Sequence, residues 1–543
     1  MEERHRPVDD LSFQVGLADF GTMVMASSPS EGGSSKFDRR DMLIGLGGLY
    51  GVAGLASDPL ASATPIVAPD LSKCHKLKDP PEFPPLDTAD VKCCAPFSTK
   101  VAIDFTPSRP SGKSRIRPAA QWLHHDELAK YKKAVELMKA LPEDDPRNFI
   151  QQAKVHCAYC NGAYDQVKSP SDQYIQAILL SLYHSGTGTI LLATPFQPYS
   201  TTLPLLFTMR TETKLTWPPT IIDLNYAETD DGHPSKPPLP DPEQIASNHY
   251  TMYRQMVHCK IGTLFFGNPY RTGSPPSPGA GSIENVPHSP VHVWTGDSNR
   301  RANGEDMGHF YSAGRDPVFY SHHANVDRMW NIWKTLPGPK RVDISDPDYL
   351  NSSFVFYDEN AQLVSVKVGD SLDSRKLGYV YEDVPIDWLK YKPKATKSKI
   401  VKMLRKHGIA RADDVNILPL SQFPITLDKT VKTVVERPKK SRSKFEKEDE
   451  EEVLVIQGID FANNVAVKFD VYINDEDDEA ISGPEKSEFA GSFATVPHNP
   501  EGGHNIKTEL NLGISELLED IGADDDDKVV VTLVPKSGIV YNN

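Results

Sequence analysis

The chain has 543 residues, 38% of them hydrophobic and 24% charged, with a formal net charge of −15. That length and balance give two or three folded domains, each able to bury a core. The acidic surplus repels a phosphate backbone, which sets aside a nucleic-acid partner.

The first predicted unit, residues 1–63, reads as a targeting leader. Arg39-Arg40 precedes an uncharged run over 42–56 and a small-residue site at Ala61-Ser62-Ala63. A basic pair, a short apolar stretch and a cleavage-like site make a signal of twin-arginine type, the alternative being an apolar helix after a chance Arg-Arg. The run is too short to cross a bilayer, so no stable membrane anchor is expected. A Ser-rich stretch over 27–35 is plastid-like, although Glu2, Glu3, Asp9 and Asp10 run against that pattern.

Residues 64–120 are rich in Pro and Cys and read as an irregular, stapled segment. The six cysteines are Cys74, Cys93, Cys94, Cys157, Cys160 and Cys259. An exported protein can keep disulfides. Cys157-Ala-Tyr-Cys160 also fits a redox pair or half of a zinc site, and no second CxxC accompanies it. Helices are then predicted in order. The first spans 126–141, with Leu128, Tyr131, Val135, Met138 and Leu141 on one face. The second takes Asp145 as N-cap, Pro146 at its first position and Gly162 past its end, and carries His156. The third covers 250–265. After a Gly/Pro/Ser loop over 267–281 come His288 and His292, four apart. Asp316-Pro317 opens a last helix bearing His322 and His323 and ending near Pro337-Gly338.

Positions i and i+4 share a helix face, so His288 and His292 can reach one ion, with a third imidazole from a neighbouring helix. Three imidazoles without thiolate or carboxylate suit copper, zinc or iron. Adjacent residues do not share a face, so one of His322 and His323 is expected to ligate. Four helices around such a cluster imply a bundle with a metal core. Downstream, 354–368 is strand-like. Residues 437–452 read as an exposed charged linker and protease site. The β-branched runs 453–456, 465–473 and 529–534 predict a β-sandwich. The acid runs 476–479 and 524–527 read as solvated loops.

Several longer motifs resemble one family. They are Arg147-Asn148-Phe149 through Val155-His156-Cys157-Ala158-Tyr159-Cys160, Gly279-Ala280-Gly281-Ser282-Ile283-Glu284-Asn285, and Asn303-Gly304-Glu305-Asp306-Met307-Gly308. Arg315-Asp316-Pro317, the run from His322 to Trp330, Asp387-Trp388-Leu389 and Lys468-Phe469-Asp470-Val471 complete the set. Over residues 64–170 and 218–540 the chain resembles the plant polyphenol oxidases, catechol oxidases of the tyrosinase type-3 copper family. The resemblance implies a mainly α core, a four-helix bundle holding two coppers, with an added all-β C-terminal domain. It implies a dicopper domain over 64–340, a region over 341–436 that closes the core, the linker 437–452, and a shielding sandwich over 453–543 that cleavage of the linker would release. It also implies oxidation of o-diphenols by O2 in the thylakoid lumen of the chloroplast, on small phenolic substrates. His288, His292 and His323 would hold the second copper and His156 the first. Phe310 would lie over the second copper, Glu284 would orient a water near the phenol, and Asp327 would fix an imidazole tautomer. Cys74–Cys94 and Cys93–Cys157 would be the disulfides. Ser289 and Val293 resemble positions linked to monophenol activity.

The chain departs from the family at the first copper. Two further histidines, nine apart, should follow Tyr164-Asp165-Gln166. Residues 167–217 contain only His184, in an unrelated context. Shifting the codons of residues 180–189 by two bases permits Phe-Ala-Leu-Pro-Phe-Trp-Asn-Trp-Asp, a family signature for this place. Residues 171–217 are therefore read as out of frame, and the first copper site as incomplete. A catalytically defective member, an oxygen carrier and a mononuclear metal hydrolase stand as alternatives, the last without the HExxH pattern it would need.

Overall fold

The computed structural model describes residues 65–74, 93–94, 100–106, 114–119, 123–160, 221–226, 239–268, 279–296, 306–338, 340–394, 417–462, 465–475, 483–497 and 505–536, with two-residue strands at Gln14–Val15, Val167–Lys168 and Tyr174–Ile175. The rest of residues 1–63, read above as a leader, His184, nearly all of 171–217 and the acid run 476–479 lie outside the described residues.

The helical part follows the predicted order, with shifted ends. Helix α1 spans His125–Lys139 and α2 spans Phe149–Cys160. The start of α2 moves because Asp145 engages Arg147, while Asn148 Oδ1 accepts from the Ile150 amide at 2.9 Å. The helix predicted over 250–265 begins earlier, at Asp241, as α3 (Asp241–Tyr253) with Pro242 in its first turn. It runs on as a π-turn over Arg254–His258 and breaks. Arg341 stabilises the break, donating to the carbonyls of Met256 and Cys259 at 2.9 Å each. The segment of His288 is also not a plain helix. A π-turn over Glu284–His288 contains an extended Val286, and α4 (Ser289–Thr295) then carries His292. Helix α5 (Pro317–Trp333) starts as predicted, with Asp316 accepting from the Val318 amide. Met256, Phe265, Met329, Trp333 and Trp388 fill the core between these helices.

The C-terminal part is a β-sandwich. Strand β1 (Val431–Glu436) pairs with β6 (Lys528–Pro535), in a sheet completed by β3 (Lys468–Ile473) and β4 (Phe489–Ala494). The facing sheet pairs β2 (Val453–Ala462) antiparallel with β5 (Asn505–Gly513). Leu454, Ile456, Phe469, Val471, Leu510 and Val531 lie between the sheets. The sandwich therefore draws strands from both sides of the charged stretch 437–452. Reading that stretch as an exposed linker is corrected by its contacts. The Arg437 side chain is 0% and that of Glu452 3% exposed, and they form a bidentate pair at 2.8 Å. Arg442 is buried as well and donates to the carbonyls of Glu446 and Glu450. Composition could not show this, because the partners of Arg437 are Glu452 and the carbonyls of Ala523, Asp524 and Asp526. Pro438, Lys439, Lys440, Ser441, Ser443, Lys444, Phe445 and Glu448 stay exposed. Trypsin nicking at Lys439 or Lys440 should therefore leave both fragments in one folded domain. Release of a separate C-terminal fragment on a non-denaturing column would contradict this.

The sandwich sits directly on the helical core. Helix α6 (Ser515–Asp520) presents Glu516 to Lys260 at 3.3 Å and Lys392 at 3.1 Å, and Asp520 to Lys392 at 2.9 Å. Arg254 donates to the carbonyls of Ser487 and Lys486. Burial raises the Glu516 pKa, but His258, Lys260 and Lys392 outweigh it and hold the carboxyl at about 2. A carboxyl depressed on folding adds stability above its unfolded value, and that stability is lost as protons reach the folded form. The Glu516 contribution should be complete above about pH 4.5 and fade toward pH 2. Urea midpoints across that range should fall less steeply for Glu516→Gln than for the parent. Equal slopes would show that the carboxyl does not stabilise docking.

Candidate metal centre

Three helical segments converge on one buried cluster. Helix α2 supplies His156, the π-turn and α4 supply His288 and His292, and α5 supplies His322 and His323. Ring centroids of His288 lie 4.6 Å from His292, 5.4 Å from His322 and 5.1 Å from His323. Those of His292 lie 5.0 Å from His322 and 5.4 Å from His323. His156 stands to one side, 6.2 Å from His323 and edge-on to Phe319 at 4.5 Å. None of the five is more than 8% exposed.

That burial sets their protonation. It disfavours the imidazolium and lowers His292 to about 4 and His156 to about 3, with His288, His322 and His323 also well below the ordinary value. Neutral imidazole is the metal-binding form. The Met307 carbonyl lies 2.9 Å from His292 Nδ1, which assigns the proton to Nδ1 and leaves the Nε2 lone pair facing the cluster. His292 Nε2 and His323 Nε2 are 3.3 Å apart. Two nitrogens bound to one ion at about 2.0–2.1 Å with a near-tetrahedral angle would stand at about that distance. His288, His292 and His322 each offer a nitrogen within 4.8 Å of the others. The rings of His288 and His322 meet the backbone of Glu284 and of His288 respectively, and make no well-aligned side-chain hydrogen bond among the described residues. A buried polar atom so placed is costly unless something binds it. The donor set fits an imidazole-preferring ion such as copper or zinc.

Phe310 lies between the halves, 6.3 Å from His156 and 6.2 Å from His292 by ring centroid. It packs with Val293 and with Val496 of the sandwich, and its amide donates to the Pro497 carbonyl at 3.2 Å. Ala494 donates to Asn285 Oδ1 at 3.2 Å beside it. Residues 494–497 thus cover the cluster. Glu284 begins the turn that ends at His288. Burial pushes its carboxyl up to about 8, so it is largely protonated at neutral pH unless a cation is near.

Asp327, one turn beyond His323, is held by groups far along the chain. Its Oδ2 accepts from the hydroxyls of Tyr379, at 2.9 Å, and Tyr381. The Arg117 guanidinium lies 3.6 Å over the Tyr379 ring and donates to the Tyr381 hydroxyl. Burial keeps the Asp327 pKa above the ordinary carboxylate range despite Tyr381, Arg117 and Tyr379. Sequence reading missed Arg117 and both tyrosines. Their signal was the alternation Tyr-Val-Tyr, which puts two hydroxyls on one face of a strand. The Met307 carbonyl was missed too, since a backbone acceptor leaves no residue-type signal.

The disulfides Cys74–Cys94 and Cys93–Cys157 are formed, the second next to His156 in the chain, while Cys259 is free and buried. Cys160 ends α2, its side chain outside the described residues.

Comparison with known proteins agrees with this construction. Residues 145–336 match the common central domain of tyrosinase, 343–394 the polyphenol oxidase middle domain, and 423–542 the chloroplastic polyphenol oxidase C-terminal domain. The chloroplastic polyphenol oxidase of Malus domestica is 50% identical over 93% of this chain and 88% of its own length. Aureusidin synthase of Antirrhinum majus is 47% identical over 90% of each. The solved structure of latent apple tyrosinase superposes with a TM-score of 0.71 at 48% identity, over 80% of this chain and 96% of that one.

Proposed function

Because the chain belongs to the tyrosinase-type polyphenol oxidases, with their copper-binding central domain, we propose that its architecture serves the oxidation of o-diphenols to o-quinones by O2. The convergence of His156, His288, His292, His322 and His323 in a water-excluded pocket carries that reading. Two diphenols give up four electrons and four protons, and one O2 takes them to form two waters. Copper, when bound, supplies the redox chemistry and an anchor for a phenolate oxygen. His288, His292 and His323 are the residues we assign to the second copper, and His156 to the first. Met307 holds the His292 tautomer. Phe310 offers an aromatic face to a phenol ring. Glu284 can take the phenol proton once a bound cation draws its carboxyl back toward the ionised form. Asp327 steadies α5 below His323 through the two tyrosine hydroxyls.

Two refinements follow. Val496 and Pro497 lie against Phe310, which supports a latent form in which the sandwich blocks the pocket. The Arg39-Arg40 leader and relatives named chloroplastic support a plastid product delivered to the thylakoid lumen. No helix among the described residues is long and apolar enough to cross a membrane.

A second reading has its own observation. His184 is the sole histidine in 167–217, so the chain as written lacks two donors for the first copper. We assign this to a frame error over 171–217. Sequencing the transcript across codons 165–220 tests the assignment, which fails if this reading frame is intact and no variant restores a two-histidine helix. The activity is tested on the frame-restored protein with an oxygen electrode. It should consume one O2 per two catechols. A restored protein that carries two coppers yet takes up no O2 with any o-diphenol would sink the proposed reaction.

A further inference from the structure

We propose that the C-terminal sandwich carries a strand-acceptor slot, one strand wide, and that the chain's own N-terminal segment around Gln14–Val15 fills it. The register identifies the occupant. Gln14–Val15 lies between the strand Ile425–Thr426 and β2, antiparallel to both. Val15 stands opposite Ile425 on one side and Ile459 on the other, and Gln14 stands opposite Thr426 and Asp460. Ile459 is fully buried and Ile425 packs on the sandwich core, while Thr426 is exposed. An apolar residue therefore takes the register position between two core-facing isoleucines, and a polar one the position beside an exposed threonine. A slip by one residue would exchange the two.

The sequence supports the same occupant independently. Leu11, Phe13, Val15 and Leu17 alternate with Ser12, Gln14 and Gly16, the period of a half-buried strand. Targeting peptides are poor in acids, yet Glu2, Glu3, Asp9 and Asp10 precede this stretch, whereas the Arg39-Arg40 run keeps the features of an address. Among the described residues, Ile425–Thr426 joins the sheet of β2 and β5 only through Gln14–Val15. Without the insert, the two facing edges stand about 9.5 Å apart, two strand spacings, too far to bond each other. Each then presents unpaired amides and carbonyls, which an extended segment satisfies by strand addition. Residues 1–63 accordingly divide into a strand that completes the sandwich and an address downstream of it. The strand ties the N-terminal segment to the domain whose residues 494–497 cover the histidine cluster, and this holds whatever reaction that cluster serves.

The test uses the full chain with Gln14→Cys and Thr426→Cys, oxidised with diamide under native conditions. Opposite residues on antiparallel strands hold their Cα atoms about 4.5–5.5 Å apart, within reach of a disulfide. Peptide mass mapping should find residues 14 and 426 linked within one chain in most molecules. Gln14→Cys with Lys507→Cys is the control. Lys507 pairs with Asp460 from the far side of β2, which puts it about two strand spacings from Gln14 and out of disulfide reach. A second variant, Gln14→Pro with Val15→Pro, removes the amide donors of the insert. Hydrogen exchange at the amides of residues 425–426 should then quicken at least about tenfold, with β3 and β6 unchanged. A 14–426 link no more frequent than the control link, a link formed only between two chains, or unaltered exchange in the proline variant would overturn the assignment.

Discussion

Catechol oxidation by this chain as written should run at least about a thousandfold below that of the same chain with an intact two-histidine helix in place of residues 171–217, a barrier difference of about 4 kcal/mol. Taking two electrons from a diphenol at one encounter needs two metals at fixed separation. His156 alone cannot hold the first of them, because one imidazole supplies a third of the donors that a stable site requires. His184 lies in the atypical segment and has no partner histidine within it. Under the proposed assignment the second copper keeps His288, His292 and His323, so substrate should still bind while turnover is lost. Oxygen uptake at saturating catechol, per folded chain, gives the comparison. Equal rates would mean that donors outside the motif complete the first site.

Asp327→Ala should destabilise the fold by about 2–4 kcal/mol, the order expected when two buried hydroxyls lose their shared acceptor. Arg117 is 2% exposed, and its positive charge lies against Tyr379 and Tyr381, whose hydroxyls both donate to Asp327. Removing the carboxylate strands two hydroxyls and a guanidinium at once. Asp327→Asn keeps an acceptor for both tyrosines and should lose clearly less. Adding Arg117→Met to the alanine variant should recover part of the loss, since the stranded charge is then gone. Urea unfolding of the four proteins measures this cycle. A loss below about 1 kcal/mol in Asp327→Ala would show that the network is incidental. Because Asp327 lies one turn from His323, its folded alanine variant should also bind copper about ten- to a hundredfold more weakly.

The parts legible in the sequence were those with short-range causes. Asp316 before Pro317 announces a helix start that the structure reproduces, and the β-branched runs at 453–456 and 529–534 become paired strands. His288, His292 and the 322–323 pair were identifiable because residue type and spacing are both chemical constraints. What could not be read has long-range causes. Helix α3 begins at Asp241 in a polar stretch whose buried face, with Asn248 and Thr251, binds residues 222–225 and so hides the apolar period. The break after His258 depends on Arg341, more than eighty residues away. The ion pair Arg437–Glu452 sits in a run that looks wholly solvated, because charge composition says nothing about partners. The second imidazole of the His322–His323 pair was set aside on helix geometry, and its closeness to His288 and His292 is visible only in three dimensions.

Counting copper by native mass spectrometry on the purified full-length chain, reconstituted with excess Cu(I) and desalted, tests the account most directly. One copper per chain, abolished by His288→Ala with His292→Ala, is the result expected of a centre with a complete second half and a missing first. Two coppers bound per chain, or one that survives the double substitution, would contradict it.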